Sequence, residues 1–251
     1  MDAKHNMSQS LNIQEIAIAI AARQYNPKLL TPDFLKYAGI VPSSWELIRP
    51  AILTDSVAQV IFQNGVNIGA QVNKIVFAEL IGSKEPSAVE VPTIAKKYID
   101  KLPEIEYVAI GVNFRGHVLF DEQNNTARNY IFKTLLNSGS WQEFGKAPVM
   151  GSLHLVYTLE DAQLNLDINE TGLQMLDKTV VRAVQFSANF NRSLPQDKQS
   201  EVCSTLTQII GNWQKDWQTF KELVNKKFLN SGNYQLNLVP GLPTIASAAN
   251  F

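Results

Sequence analysis

Histidine and cysteine are the residues of this sequence with the widest range of chemistry, and there are few of them. The three histidines, His5, His117 and His154, lie far apart in the chain and do not follow the spacing of a metal site. Cys203 is the only cysteine in the sequence, so it can form no disulfide within the chain. Its position beside Val202 in an amphipathic pattern favours a half-buried structural thiol over a reactive thiolate. We therefore expect no metal site and no disulfide.

A catalytic histidine would need a group that orients it and a nucleophile beside it. His117 is expected in a solvated turn and His154 on a strand, and no motif supplies a nucleophile for either. Asp167 and Asn169 alternate with Ile168, which predicts that both point from one face of a strand. The common nucleotide-binding, hydrolase and zinc-protease motifs do not occur in the sequence. The sequence therefore predicts no catalytic residue and no cofactor site, and an enzyme is the less favoured interpretation.

The strongest polar signal comes from neutral amide side chains. The predicted strands are rich in Asn and Gln and contain few cations, chiefly Lys74, Arg115 and Arg182. A solvated sheet face would explain these amides, and so would a polar, uncharged face that hydrogen-bonds a peptide edge or another subunit. Such a face would bind DNA weakly, because phosphate neutralisation supplies most non-specific affinity. The residues expected to bind are Gln59, Gln63, Asn67, Gln71, Asn165 and Asn169.

Composition and charge exclude several classes of protein. Of the 251 residues, 45% are hydrophobic and 18% are charged, which is typical of a globular chain rather than a disordered or fibrous one. A net charge of −1 gives no electrostatic reason to expect nucleic acid or an anionic membrane as partner. The first ten residues lack the apolar segment of a signal peptide, and no run approaches the roughly 20 apolar residues of a membrane helix. We expect a soluble, cytoplasmic protein.

Most of the chain shows the period-two alternation of strands. In Ile13–Ala22, isoleucines alternate with alanines, and the high alanine content leaves a helix as an alternative. Asn64-Gly65 predicts a tight hairpin turn between two strands. The predicted strands are Ile13–Ala22, Val57–Phe62, Val66–Ala70, Lys74–Leu80, Tyr107–Phe114, Leu153–Thr158, Gln163–Ile168 and Val180–Phe190.

Four segments show helix signals. Thr31-Pro32-Asp33 combines an N-cap, a proline at the first position and an acidic residue in the first turn. The other helices are predicted over Pro92–Leu102, Asn124–Leu136 and Asp197–Phe228. The last is the clearest amphipathic pattern, and its apolar stripe predicts a helix lying across a sheet. Gly211 weakens this helix, which predicts close packing at that point.

The order of elements repeats along the chain. A strand, a short helix, a Ser-Trp turn, a meander and a longer helix occur first around Trp45 and again around Trp141. The repeat predicts an α+β fold, with an antiparallel sheet and helices packed on one face, in which residues 12–103 and 104–229 form two halves of one domain. Residues 1–11 are expected to form an N-terminal arm and residues 230–251 a tail. Coincidence and genuine internal duplication both remain open.

This order of elements resembles the saddle of the TATA-box-binding protein fold and the wider helix-grip group. The resemblance implies that the two halves join about a pseudo-two-fold axis into one curved sheet with an open face. It does not extend to any functional motif, and a shared fold does not establish function.

Three functional hypotheses follow from the sequence. The leading one is a non-catalytic binding or scaffold protein that uses the amide-rich face to hold a protein partner or a second copy of itself. The first alternative is a small-ligand binder or enzyme with a pocket between the sheet and the C-terminal helix. A cavity holding His154 or Asp167 would favour that alternative, and an interface filled by Trp213 and Trp217 would count against it. The second alternative is a nucleic-acid adaptor in a larger complex.

Overall fold

A single antiparallel sheet of nine strands runs through the described part of the chain. The computed structural model describes residues 10–229 apart from 83, 121–125, 176 and 196–197. The predicted arm lies almost wholly, and the predicted tail entirely, outside the described residues. The strands are β1 (Asn12–Ala22), β2 (Ile52–Leu53), β3 (Val57–Ile61), β4 (Val66–Gln71), β5 (Lys74–Leu80), β6 (Tyr107–Leu119), β7 (Ser152–Thr158), β8 (Gln163–Gln174) and β9 (Val180–Ser193).

The strand order of the sheet is β2-β3-β4-β5-β1-β6-β9-β8-β7, with β1 paired to β6 at the centre. From this centre, the first half reads β1, β5, β4, β3, β2 and the second reads β6, β9, β8, β7. The two halves therefore place successive strands in the same order on opposite sides of the central pair. This is the arrangement that an internal duplication predicts, although a common origin of the halves stays a prediction.

The helices cover one face of this sheet, which confirms the predicted α+β fold. α2 packs on β1 and β5, while α4 and α5 pack on β6. The Thr31 hydroxyl accepts a hydrogen bond from the Phe34 amide at 3.1 Å and caps α1, as predicted. The helices are α1 (Pro32–Tyr37), α2 (Val91–Lys101), α3 (Thr126–Asn129), α4 (Gln199–Gly211) and α5 (Trp213–Glu222), with π-helical segments following α3 and α5 at Tyr130–Leu135 and Leu223–Leu229.

The buried core lies between the helices and the sheet. In β1 the side chains of Ile16, Ile18 and Ile20 are fully buried while the alternating alanines are half-buried, so the strand prediction for this segment is confirmed and the helix alternative is wrong. The alanines were the ambiguous signal, because alanine also favours helix. In β1 they are the small residues of the face that carries no helix.

Charged residues buried on the helix side connect sheet to helix in both halves. Glu79 of β5 is fully buried and accepts hydrogen bonds from the backbone amides of Glu90 and Val91 at the start of α2. In the second half, Arg192 of β9 makes a bidentate ion pair with Asp216 of α5 at 2.8 and 2.9 Å. Bidentate geometry and low exposure make this pair a strong tie between the two elements.

The predicted end of the central strand β6 is wrong. The strand expected to end at Phe114 continues to Leu119, so Gly116 and His117 lie within β6 and not in a turn. A Cβ on Gly116 would lie 2.8 Å from the Asn12 carbonyl oxygen and 2.7 Å from the Leu11 side chain, so this glycine permits close strand contact.

The C-terminal helix also differs from its prediction. It is interrupted at Asn212 instead of running unbroken from Asp197, a residue outside the described part, to Phe228. Gly211 is exposed and its Cβ position faces open space, so the expectation of close packing there is wrong. The glycine instead ends α4, as its low helix propensity favours.

Candidate binding site on the open sheet face

The sheet face without helices differs in character between the two halves. In the first half it is built largely from small and apolar residues at alternating positions. In the second half the corresponding positions are mostly polar. The first-half residues include Ala17, Ala19, Ala21, Gly69, Val76 and Ala78, and the second-half residues include Asn113, Asn165, Asp167, Asn169, Gln185, Ser187, Asn189 and Asn191.

Three asparagines form a hydrogen-bonded row across the second half. The Asn113 amide donates to the Ala17 carbonyl oxygen at 3.0 Å, and the Asn189 amide donates to Asn113 Oδ1 at 2.7 Å. Asn165 extends the row by donating to Asn189 Oδ1 at 3.3 Å. Each amide therefore orients the next, which fixes the donors and acceptors that remain directed away from the sheet.

A shorter row of the same kind lies at the edge of the first half. Arg49 Nη2 donates to Gln59 Oε1 at 2.8 Å, and Gln59 Nε2 donates to Asn67 Oδ1 at 3.3 Å. Gln71 and Lys74 border a shallow depression of about 250 Å³ on this part of the face. The exposed side chains of Ile52 and Val57 make its rim apolar.

A larger cavity of about 570 Å³ lies at one end of the open face and is called here the end pocket. It is formed where the ends of β1, β5, β6, β8 and β9 meet the β3–β4 turn. Its wall combines charged, amide and glycine residues that are distant from one another in sequence. Its lining includes Glu15, Gln63, Lys84, Arg115, His117, Thr171 and Gln185.

The charges of the end pocket offset one another. Arg115 Nη2 lies 3.4 Å from Glu15 Oε1, and Lys84 is held by the buried Glu79 at 2.8 Å. Burial raises the pKa of Glu15, while the Arg115 guanidinium works in the opposite direction. The end pocket therefore combines hydrogen-bonding groups with a local net charge close to zero.

His117 is the most constrained polar residue of the end pocket. Its Nε2 lies 3.3 Å from Gln185 Oε1, and Gln185 Nε2 donates to Ser187 Oγ at 3.1 Å. The amide oxygen therefore accepts from His117 Nε2–H, which leaves Nδ1 unprotonated, buried and without a hydrogen-bond partner among the described residues. Burial lowers the pKa of His117, the Gln185 hydrogen bond raises it and nearby Arg115 lowers it, with a net decrease. The imidazole is thus neutral near pH 7.

The structure distributes the amides predicted to bind over three places. Gln59, Asn67 and Gln71 lie on the open face of the first half. Gln63 lies in the β3–β4 turn and forms part of the wall of the end pocket. The two others, Asn165 and Asn169, lie on β8 in the second half, where Asn165 joins the asparagine row. These six residues share a face or its end but do not form one contiguous site.

Sequence reasoning missed the central residues of the end pocket. Glu15, Arg115, His117 and Gln185 come from three strands, and only strand register brings them together. One signal was available, because the alternation of β6 continues past Phe114. Arg115 and His117 are half-buried, and they alternate with the buried Gly116 and Val118. Extending that strand past Gly116 would have placed both side chains on the open face.

His154 and Asp167 form a second polar pair, on β7 and β8. His154 Nδ1 lies 2.7 Å from Asp167 Oδ1, and both side chains are more than half exposed. Neither residue lines the end pocket or the smaller depression. The space between β6 and α5, by contrast, is filled by Phe114, Trp217 and Phe220, whose rings pack within 6.1 Å of one another around Phe114.

No protein-family model and no curated protein matches the chain. Within residues 10–229, as far as they are described, no group of three or more His, Cys, Asp or Glu side chains is placed to hold a metal ion. In the same part of the chain, every helix is too short or too polar to cross a membrane.

Proposed function

We propose that this chain is a non-catalytic binding protein, and that its open sheet face holds a polypeptide segment of a protein partner. In this proposal the segment lies across the polar half and places one polar side chain in the end pocket. The observation that carries the proposal is the end pocket itself, a cavity of about 570 Å³ lined by Arg115, His117 and Gln185 at the end of an amide-rich face.

The chemistry of the face favours a peptide as ligand. Peptide groups present one donor and one acceptor per residue, and the oriented amides of Asn165 and Asn189, each of which uses one N–H within the row, can complement both. The volume of the end pocket is within the range of about 300–1,000 Å³ that is typical of ligand sites, so it can accept a side chain with room for water. The low net charge favours a neutral or weakly charged segment over a polyanion.

The two alternatives from the sequence have less support. A pocket between the sheet and the C-terminal helix would need space where Trp213 is buried and Trp217 packs against Phe114. His154 and Asp167 have the pairing of a catalytic dyad, yet they lie exposed on β7 and β8 and border neither cavity. A nucleic-acid adaptor would need more cations than Arg49, Lys74, Lys84 and Arg115 supply on the described part of the open face.

The proposal is tested by selecting peptides from a random library on the full chain and measuring their affinities for variants of the end pocket. Arg115→Gln removes a charge but keeps an amide donor, and Gln63→Ala removes one amide from the wall. We expect each to weaken selected peptides by about tenfold, the effect of one lost hydrogen bond or charged contact of about 1.4 kcal/mol.

Matched control variants lie away from the end pocket. Arg23→Gln removes an arginine that is ion-paired with Glu106 beyond the opposite end of β1, and Gln208→Ala removes an exposed amide on α4. Both should leave peptide affinity unchanged. The proposal is wrong if no peptide is selected, or if the control and pocket variants weaken binding equally.

A further inference from the structure

The edge strand β7 has features of a surface that can pair with a strand of another chain. β7 spans Ser152–Thr158 and pairs with β8 on one side only. Within the described part of the chain, no strand pairs with its outer side. Such an edge presents a row of backbone N–H and C=O groups that another strand can bond.

This edge lacks the devices by which proteins usually block strand pairing. Those devices are charged residues, proline, bulges and very short edge strands. β7 has seven residues with no Asp, Glu, Lys, Arg or Pro, and its pairing with β8 continues without a register shift from Ser152 to Thr158. The opposite edge of the sheet is β2, which is only two residues long, Ile52–Leu53. Among the described strands, the β7 edge alone is therefore long enough for extended pairing.

The pattern of β7 fits a second copy of itself. In an antiparallel pair related by a two-fold axis perpendicular to the sheet, a residue on the axis faces its own copy, and both faces of the sheet are preserved. With Leu155 on the axis, all seven residues pair. Leu153 then faces Tyr157 of the other copy, and Ser152 faces Thr158. The half-buried Leu153, Leu155 and Tyr157 stay on the helix side, and the exposed residues stay on the open face.

Exposed apolar side chains lie in this edge strand and just before it. Met150, two residues before β7, is 88% exposed, and Val156 within β7 is 51% exposed. Exposed apolar side chains beside an unpaired strand edge are positions that a partner strand can cover. Pairing of two copies would shield Val156 and the partly exposed Leu155 from water.

We propose that two copies of this chain associate through β7, forming one continuous antiparallel sheet across a two-fold axis at Leu155. A strand is the occupant that bonds the backbone of the edge, and a second β7 brings no like charges together because the strand contains none of the four strongly charged residue types. Assembly stops at two copies, since the remaining edges are the two-residue β2 strands. This surface is separate from the end pocket, so the inference does not depend on the proposed function.

Analytical ultracentrifugation of two charge variants tests both the association and its register. Ser152→Lys combined with Thr158→Lys places two lysines directly opposite each other twice per dimer, because residue 152 faces residue 158 of the other copy. Ser152→Lys combined with Thr158→Glu uses the same exposed positions but places opposite charges together. We expect the wild-type protein to sediment as a species with twice the 28.0 kDa mass of one chain. The double-lysine variant should dissociate at least about tenfold more readily, and the Lys/Glu variant should associate as tightly as the wild type or more tightly.

Circular dichroism checks that both variants fold, which is expected because Ser152 and Thr158 are exposed. A wild-type chain that sediments as a single copy at every concentration would overturn the proposal. Equal dissociation of the two variants would overturn it as well, because the register at Leu155 requires the sign of the second charge to matter.

Discussion

His117 shows how one residue of the open face acquires its properties from the strands around it. Its Nε2–H donates a hydrogen bond to Gln185 Oε1, and its Nδ1 is buried without a hydrogen-bond partner among the described residues. A second proton would have to reside on this buried Nδ1, and the positive charge of nearby Arg115 opposes it. The residue is therefore maintained as a neutral donor that positions Gln185 in the wall of the end pocket.

His117 should titrate below the usual 6.5 of a histidine in an NMR pH titration. Above pH 6.5 both folded and unfolded chains hold it neutral, so it makes no pH-dependent contribution to stability. As the pH falls below 6.5, the unfolded chain binds a proton that the folded chain does not, until the lower folded pKa is reached. The free energy of unfolding should therefore decrease in this window by up to about 1.4 kcal/mol per pH unit.

The variant His117→Gln isolates this effect, because glutamine does not titrate. Its free energy of unfolding should depend less on pH than that of the wild type between pH 6.5 and the folded pKa. A His117 midpoint at or above 6.5, or identical pH slopes in the two proteins, would show that the imidazole is not maintained neutral by its surroundings.

At the scale of elements, Glu79 determines how α2 meets the sheet. The carboxylate is fully buried at the end of β5, accepts from two backbone amides at the start of α2 and pairs with Lys84. A negative charge at a helix N-terminus is favourable because the first amides lack partners within the helix. α2 has no side-chain cap on its own chain segment, so Glu79 takes that role from a neighbouring strand.

Replacing Glu79 by alanine should lower the free energy of unfolding by about 3 kcal/mol or more, since it leaves two helix amides and the Lys84 ammonium without their shared acceptor. Urea denaturation measures this loss. Glu79→Gln should cost less, because its amide oxygen still accepts from one or both backbone amides. Glu85→Ala, at an exposed position, is the matched control and should change stability by less than about 0.5 kcal/mol. Equal effects at positions 79 and 85 would contradict the capping role.

The sequence patterns predicted the presence of strands better than they predicted where a strand ends or which charges it buries. Lys74–Leu80 is confirmed at both ends, because its alternation is bounded by clear turn residues. Gly116 looked like a turn because glycine usually ends a strand pattern, and nothing local shows that the backbone of Asn12 passes beside it. Likewise the inward charge of Glu79 has no local signal, since the backbone amides that it accepts from lie 11 and 12 residues away at the start of α2.

The candidate site was predictable only in part for the same reason. Alternation alone places amides such as Asn67 and Asn165 on the open face, and the structure bears out that placement. The end pocket could not be predicted, because Glu15, Arg115 and Gln185 meet only through the pairings of β1 with β6 and of β6 with β9. Register between distant strands is a property of the folded sheet and leaves no trace in a local pattern.

At the scale of the whole molecule, the central β1–β6 pairing makes the two halves interdependent. Ten pairs of residues join these strands, from Asn12 with His117 to Ala22 with Tyr107. Separating the halves would expose the backbone of both central strands as two new edges. The described strands of both halves thus belong to one continuous sheet.

The two halves should therefore unfold in one cooperative transition. Fluorescence of Trp45 in the first half and of Trp213 in the second can be followed separately in variants in which the other tryptophans are replaced by phenylalanine. Both probes should give the same urea midpoint, because loss of either half removes the neighbour of the other half's central strand. Two midpoints separated beyond experimental error would instead mean that each half is stable alone.

We propose that this protein binds its partner on the open face, and in the end pocket in particular. The most direct measurement is an NMR titration of the labelled chain with a selected peptide, following backbone amides on both sides of the sheet. We predict that the largest shifts occur at Glu15, Arg115, His117 and Gln185, and that residues of α4 and α5 remain unchanged. Shifts concentrated on the helices, with the end pocket unaffected, would contradict the account.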